Sequence, residues 1–422
     1  MTEETTANTS PPPESQPIDL FSREFKANPF PTYACLRESA PIYPHHAPDG
    51  STIWYITRYE DALTVLRDDE AFCKDQRHAH TDGEAGPASR RSGGQQAINE
   101  NMLFSDPPEH TRLRGLVSKA FTPRRIEALI PEVQSIADEL LDGVQDACVM
   151  DLIADFALPL PIYVISELLG VPRADREEVA DWSQAIISPG SRNLTYSARK
   201  RRVRSLTRYL DALFALRAAD PREDLISALV QVEESGTKLS EAELSSMVVL
   251  LLVTGHETVV NLIGNGALAL LGAPEQLARL QQEPGLWEAA IEELLRFDGP
   301  VETSTSRWAR RDVVLQGHQI RRGDLIRVVL SSANRDERQF TEPAALQIDR
   351  QHNKHLAFGF GIHYCLGAPL ARIEGRIALE TLFRRLPDLR LALPPDQVAW
   401  RSGVLFRGMQ RCDVIWSPIR GF

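Results

Sequence analysis

The chain has 422 residues, 43% hydrophobic and 25% charged, the balance of a globular protein large enough to bury a sizeable core. A formal net charge of −11 excludes general nucleic-acid binding. The five cysteines, Cys35, Cys73, Cys148, Cys365 and Cys412, are odd in number and never form a Cys-x-x-Cys pair, which speaks against a zinc site and for a reducing cytoplasm.

Residues 1–17 are rich in Thr, Ser, Pro and Glu and are expected to form a disordered tail without a signal peptide. Residues 18–422 are expected to form one domain, because no Pro/Gly/Ser-rich linker separates independent cores. The longest apolar run, 247–253, is too short to cross a bilayer, so no membrane association is expected. Residues 29–39 read as a short helix, 52–57 as a strand paired with the apolar stretch around Pro41, and 59–67 as a second helix. Residues 78–96 lack periodicity and read as a mobile surface loop.

Asp106-Pro107-Pro108 precedes a helix on which His110 and Arg114, four residues apart, share one face. Such a pair can bind a carboxylate or form a solvated basic face. Residues 152–169 read as a buried helix kinked or interrupted by Pro159 and Pro161 and stopped at Gly170-Val171-Pro172. Ser188-Pro189-Gly190-Ser191 reads as a loop between two helices. The basic run 199–202 lies over an apolar stripe of Val203, Leu206, Leu210 and Leu213, so it reads as a solvated helix face and not as a nucleic-acid site.

Ser240-x-x-Glu243 is a capping box that opens a long helix ending near Leu271, before Gly272-Ala273-Pro274. Residues 247–263 are apolar nearly all round, which implies burial through the core. Gly255, His256, Glu257 and Thr258 sit inside that stretch, where a carboxylate and a hydroxyl must be paired, hydrated or functional. A zinc-protease helix is excluded, because Val260 stands where a second histidine would be needed.

Residues 287–296 read as a helix carrying Glu293 and Arg296, three apart; as an exposed pair they would contribute only about 0.3 kcal/mol. Residues 313–315 and 325–330 read as strands joined by turns at Gly317 and Arg322-Gly323-Asp324. The run Phe358-Gly359-Phe360-Gly361-Ile362-His363-Tyr364-Cys365-Leu366-Gly367 then delivers one cysteine to the start of a helix with Pro369 in its first turn and an apolar stripe of Leu370, Ile373, Ile377, Leu379 and Leu382. Unpaired N–H groups at that helix start favour a thiolate at Cys365, and Gly361 and Gly367 permit turns and close approach. By itself a lone cysteine is more often an inert buried thiol. A nucleotide-binding turn is excluded, because Tyr364 occupies the place of a third glycine.

Phe358-x-x-Gly361-x-x-x-Cys365-x-Gly367 resembles the ligand loop of the cytochrome P-450 superfamily, the haem-thiolate monooxygenases. Thr254-Gly255-His256-Glu257-Thr258-Val259 resembles the oxygen-binding helix of that family, with Thr254 and Val259 as departures, and Glu293-x-x-Arg296 resembles its structural pair. The resemblance extends over the chain beyond the tail and implies a mainly α (α+β) single-domain fold with a large helical region and small β-sheets. It implies haem b with iron ligated by Cys365, bordered by Phe358 and Gly359, and propionates held by His110, Arg114, Arg307 and His363.

By the same resemblance Thr258 hydrogen-bonds the bound dioxygen, Glu257 relays protons, Gly255 leaves room beside the iron, and Arg350 is a third partner of Glu293 and Arg296. Residues 78–96 would overhang the substrate pocket, and 188–191 would form a mobile lid whose movement admits substrate. Electrons would come from a separate ferredoxin and ferredoxin reductase to a cytoplasmic monomer. The implied reaction is insertion of one oxygen atom of O2 into a C–H or C=C bond of a large apolar natural product, such as a macrolide or other polyketide. Steroids, terpenoids and cyclic peptides are alternative substrates, and a haem sensor or electron carrier is the alternative of another class.

Overall fold

The computed structural model describes residues 19–20, 22–47, 50–80, 100–187, 195–233 and 236–418. The expected tail, most of the loop at 78–96 and the loop at 188–191 lie outside them. After a short helical turn at Arg23–Ala27 come α1 (Phe30–Ser39), β1 (Ile42–His46), β2 (Thr52–Ile56), α2 (Tyr59–Arg67) and β3 (Phe72–Cys73). The helical body follows with α3 (Glu109–Ala120), α4 (Pro159–Leu169), α5 (Tyr196–Ala219) and α6 (Glu241–Leu271). After α7 (Trp287–Asp298) come β4 (Arg307–Ala309), β5 (Val313–Leu315), β6 (His318–Ile320), β7 (Leu325–Val328) and α8 (Ala368–Arg385).

The helix α6 is the axis of the body. Its capping box is formed: Glu243 N donates to Ser240 Oγ at 3.2 Å and Ser240 N donates to Glu243 Oε2 at 2.8 Å. Met247, Val248, Val260 and Ile263 are fully buried, each contributing at most about 2 kcal/mol of apolar burial. They join one large apolar cluster with α4, α7 and α8, which pack around α6. By length and composition α6 and the segment Leu152–Leu169 are apolar enough to cross a membrane, but 72% and 67% of their apolar windows are buried inside the protein, as core helices are.

Pro159 is accommodated in the first turn of α4, where its missing N–H costs no helical hydrogen bond, and the preceding Leu152–Ala157 winds as a π-helical turn. Gly170 closes α4 at φ +79.

The five-stranded sheet has the order β1-β2-β7-β4-β3, with β2 and β7 parallel and the other pairs antiparallel. Its register sets Trp54 against Ile326 and Arg307 against Ile326 across β7. Two expectations about this region need correction. The strand expected at 325–330 stops at Val328 and turns into the short helix Leu330–Ala333. Residues 313–315 pair with the unexpected β6, because Gln316 and Gly317, both at positive φ, make the two-residue turn that closes a hairpin.

Candidate active site

Between α6 and the start of α8 lies a cavity of about 520 Å³ whose walls are mainly apolar, with Ile165, Val249 and Leu250 on the helical side and Val301, Leu405 and Phe406 opposite. Cys365, Phe358, Gly359, His363, His110, Arg114, Arg307 and Thr258 all line it, although they come from α3, α6, β4 and the cysteine loop. The expected site residues thus converge on one space, with Glu257 as the exception.

The cysteine loop is held by backbone bonds, Cys365 N to the Phe358 carbonyl at 3.0 Å and Tyr364 N to the Gly361 carbonyl at 3.0 Å. Gly361 needs its missing side chain: at φ +75, a Cβ would lie 2.6 Å from the Leu66 carbonyl oxygen. Gly367 is at φ −80, so its role is not a left-handed turn. A Cβ there would meet only Cys365 Sγ, at 3.9 Å, which leaves the space beside the sulfur clear for a flat ligand. Phe358 is covered from the other side by the Arg372 guanidinium, 4.5 Å from its ring centre.

Burial pushes the Cys365 thiol up; the Gly367 N–H, Arg114, Arg372 and the Ala368 N–H only partly offset it. A bound metal cation would favour the thiolate further.

Of the pair His110 and Arg114, the histidine is buried and the arginine half-buried. His110 is 3% exposed and its Nε2 has no hydrogen-bond partner, while Arg114 donates to the Tyr364 carbonyl at 2.8 Å. The two imidazoles of His110 and His363 lie 4.3 Å apart between ring centres. Burial, then Lys74, His110, Arg307 and Arg114, press His363 down to about 2, and burial holds Arg307 down at about 10.

Lys74 is a member of this group that sequence reasoning missed. It is 3% exposed, its pKa is held well down by burial and by Arg307, and its ammonium donates to the Thr305 hydroxyl and to the Thr305 and Ser306 carbonyls. A lone lysine after a two-residue strand carries no local signal, and only the pairing of Phe72 and Cys73 with β4 brings it beside Arg307. Among the described residues, Lys74, Arg114 and Arg307 form no ion pair with a carboxylate. Lys74, Arg114 and Arg307, three cations crowded around one nearby carboxylate, Asp106, together with an orphaned His110 nitrogen and a thiol over an open glycine face, fit a flat metal macrocycle bearing two carboxylates, as haem does.

On α6, Thr258 Oγ1 donates to the Thr254 carbonyl at 3.0 Å, and Thr254 Oγ1 donates to the Leu250 carbonyl at 2.8 Å. The departure at Thr254 therefore places a methyl group and a committed hydroxyl in the wall. At Gly255 an added Cβ would come within 3.3 Å of Ile165 Cδ1, so the missing side chain makes room for α4 as well as for the cavity.

Glu257 does not line the cavity; its carboxylate is 5% exposed and receives a hydrogen bond from Arg401. Burial raises its pKa, opposed by Arg401 and Asn261. His256 is 1% exposed, with Nδ1 2.7 Å from the Leu252 carbonyl, and burial holds it neutral at a pKa of about 4.

Glu293 and Arg296 are buried, not exposed. Arg296 forks onto the two Glu293 oxygens at 2.7 Å each, and Arg350 Nε reaches the same oxygens at 3.1 and 3.0 Å. The expected third partner is in place.

The family description "cytochrome P-450" matches residues 195–397. A Bacillus subtilis protein described as polyketide biosynthesis cytochrome P-450 PksS is 43% identical over 400 residues, covering 94% of this chain and 97% of the relative. A mycinamicin IV hydroxylase/epoxidase of Micromonospora griseorubida is 39% identical over 389 residues, covering 91% of this chain and 94% of the relative. The solved structure of PksS matches with a TM-score of 0.87 at 41% identity, covering 94% of this chain and 98% of that chain.

Proposed function

This chain belongs to the cytochrome P-450 family of haem monooxygenases, and from that premise we propose that it oxidises a C–H or C=C bond of a large apolar natural product of the polyketide or macrolide class. The observation that carries the assignment of the site is the shared cavity: Cys365, five basic side chains and Thr258 face one mainly apolar space. Residues 18–422 act as one haem domain.

When bound, haem supplies activation of dioxygen at an iron made electron-rich by a thiolate. Cys365 would hold the metal. Arg114, Arg307 and Lys74 would pair their charges with the two propionates, and His110 and His363 would serve as neutral hydrogen-bonding groups beside them. Phe358 and Gly359 border the macrocycle. Val249, Leu250, Leu405 and Phe406 exclude water and give an apolar substrate its affinity through buried area. Thr258 offers the hydroxyl through which a proton enters the cavity, and Glu257 is its source.

Electrons reach the site from a ferredoxin and its reductase, separate from this cytoplasmic monomer. The substrate reading rests on the polyketide relative and on the apolar lining of the cavity. The test is a spectral titration of the purified holoenzyme with macrolides, other polyketides, steroids and cyclic peptides. Compounds that displace the water on iron are then turned over with dioxygen consumption measured against product. Stoichiometric oxygen use with an oxidised macrolide or polyketide supports the reading. Binding of steroids alone would overturn the substrate class, and a Cys365→Ala variant that keeps the thiolate-type carbon monoxide spectrum would overturn the site.

A further inference from the structure

Successive residues of a helix diverge by about 100°, so Thr258 in the cavity wall and Glu257 beside it face different surroundings. The surroundings of Glu257 are the C-terminal segment 399–410. That segment doubles back on itself, with Arg401 N donating to the Gly408 carbonyl at 2.9 Å, Gln410 N to the Ala399 carbonyl at 2.7 Å, and Trp400 bridged to Met409. Arg401 is fixed on it: Nε donates to the Met409 carbonyl at 3.2 Å while Nη1 donates to Glu257. The Arg401 side chain is 26% exposed and that of Glu257 7%, so the pair joins the protein surface to the interior of α6.

The same hairpin lies along a polar stripe of α6 formed by Glu257, Asn261 and Asn265, four residues apart in turn. Asn265 Nδ2 donates to the Arg407 carbonyl at 3.0 Å, and Gly408 packs so closely that a Cβ would lie 1.9 Å from Asn261 Oδ1. His256 Nε2 and Asn265 Oδ1 are buried along this contact without a partner among the described residues, the condition under which internal water is retained. The hairpin also forms part of the cavity wall. Leu405 and Phe406 line the cavity, with Glu302 N donating to the Leu405 carbonyl at 2.9 Å and Phe406 bridged to Val301.

We propose that Arg401 is a positioning residue for proton delivery: it latches the Glu257 carboxylate outside the cavity wall and ties its release to the hairpin whose other end, Leu405 and Phe406, touches the substrate. The proposal rests on the monooxygenase reading above. One proton travels from solvent at the exposed edge of Arg401, through water along the stripe, to the Glu257 carboxylate. On release the carboxyl turns and passes that proton to Thr258 Oγ1, which hands its own into the cavity. Arg401 stays charged throughout, and the carboxylate left behind is reprotonated from solvent. Among the described residues Arg401 is the charged group acting on Glu257 from another element; His256, on its own helix, is neutral.

The test uses the purified holoenzyme and the variants Arg401→Met, Arg401→Lys, Glu257→Gln and Arg401→Met/Glu257→Gln. Infrared pH titration follows the carboxylic-acid band that Glu257→Gln removes. In Arg401→Met the band should persist to higher pH, by about one unit, and Arg401→Lys should restore the wild-type position. Dithionite-reduced, substrate-free protein mixed with air should reoxidise several-fold faster in Arg401→Met, and that gain should vanish in the double variant.

An unmoved band in Arg401→Met, or an equal acceleration in the Glu257→Gln background, would leave Arg401 as a pin for the hairpin and overturn the proposal. A different result, reduced wild-type protein without the thiolate-type carbon monoxide band, would reject the monooxygenase site itself.

Discussion

Arg350 Nε and the two carboxylate oxygens of Glu293 meet at 3.1 and 3.0 Å across 57 positions of sequence, inside a buried network. Glu293 also accepts Arg296, the Gln347 N–H at 2.9 Å and Asn353 at 3.2 Å, while Arg296 donates to the Asn334, Pro343 and Ala345 carbonyls. One acid therefore organises the segment from Asn334 to Asn353 that leads to the cysteine loop. Removing it as Glu293→Ala strands two guanidinium groups in the interior and should cost about 4 kcal/mol. Urea unfolding with haem content measured alongside is the check; a loss below about 1 kcal/mol would show that the network is not structural.

Gly361 and Gly359 separate backbone strain from steric clash. Both have positive φ, but a Cβ at Gly359 meets nothing within 4 Å, whereas one at Gly361 runs into the Leu66 carbonyl. Gly359→Ala should cost about 1 kcal/mol, and Gly361→Ala about 2 kcal/mol more because backbone must move. Equal costs, read by chemical unfolding, would mean that α2 yields without resistance. Reduced haem incorporation is expected only for Gly361→Ala.

Thr258→Ala removes the hydroxyl that lines the cavity and now rests on the Thr254 carbonyl. Losing one hydrogen bond of about 1.4 kcal/mol at the step that commits reductant to product should lower coupling about tenfold, with hydrogen peroxide in its place. The measurement is product and peroxide per reductant consumed. Substrate affinity should change little, so an equal loss in binding would assign Thr258 to substrate contact instead.

Glu292 predicts an acid-sensitive clasp between α7 and α8. Burial pushes its carboxyl up, but hydrogen bonds from Arg372 and His355 outweigh that and hold it at about 2, against an ordinary 4.5. A carboxyl whose folded value lies below its unfolded one stabilises the fold fully above the unfolded value, and that contribution is lost as pH falls towards 2. The side chain is 29% exposed, so after screening the contribution is about 2 kcal/mol. Glu292→Gln should thus be less stable than wild type by that amount at pH 7, and the gap should close as pH drops below 4.5. A gap that stays constant to pH 3 would show that the carboxylate charge is not what holds the helices.

Much of this architecture is legible locally. Ser240 and Glu243 announce the start of α6 because a capping box is made within four residues, and the apolar girth of 247–263 announces its burial because few other environments accept such a surface. Cys365, with its glycines and the following amphipathic helix, marks the ligand loop for the same reason: the strain and the helix start are properties of adjacent residues. The turn at Gly317 is legible, but the tight pairing of 313–315 with β6 across it is not, because Gln316 is an uncommon residue at positive φ.

The sequence by itself determined which residues are helical, which must be hidden, and where a thiol meets a helix start. Tertiary structure alone decided what those residues face. Lys74 joins Arg307 only because β3 pairs with β4, and Glu257 meets a cation only because a hairpin 144 positions away presents Arg401. Periodicity tells a side chain to leave water, but electrostatic partnership depends on distance in space, and chain topology sets that distance without leaving a trace in the neighbouring residues.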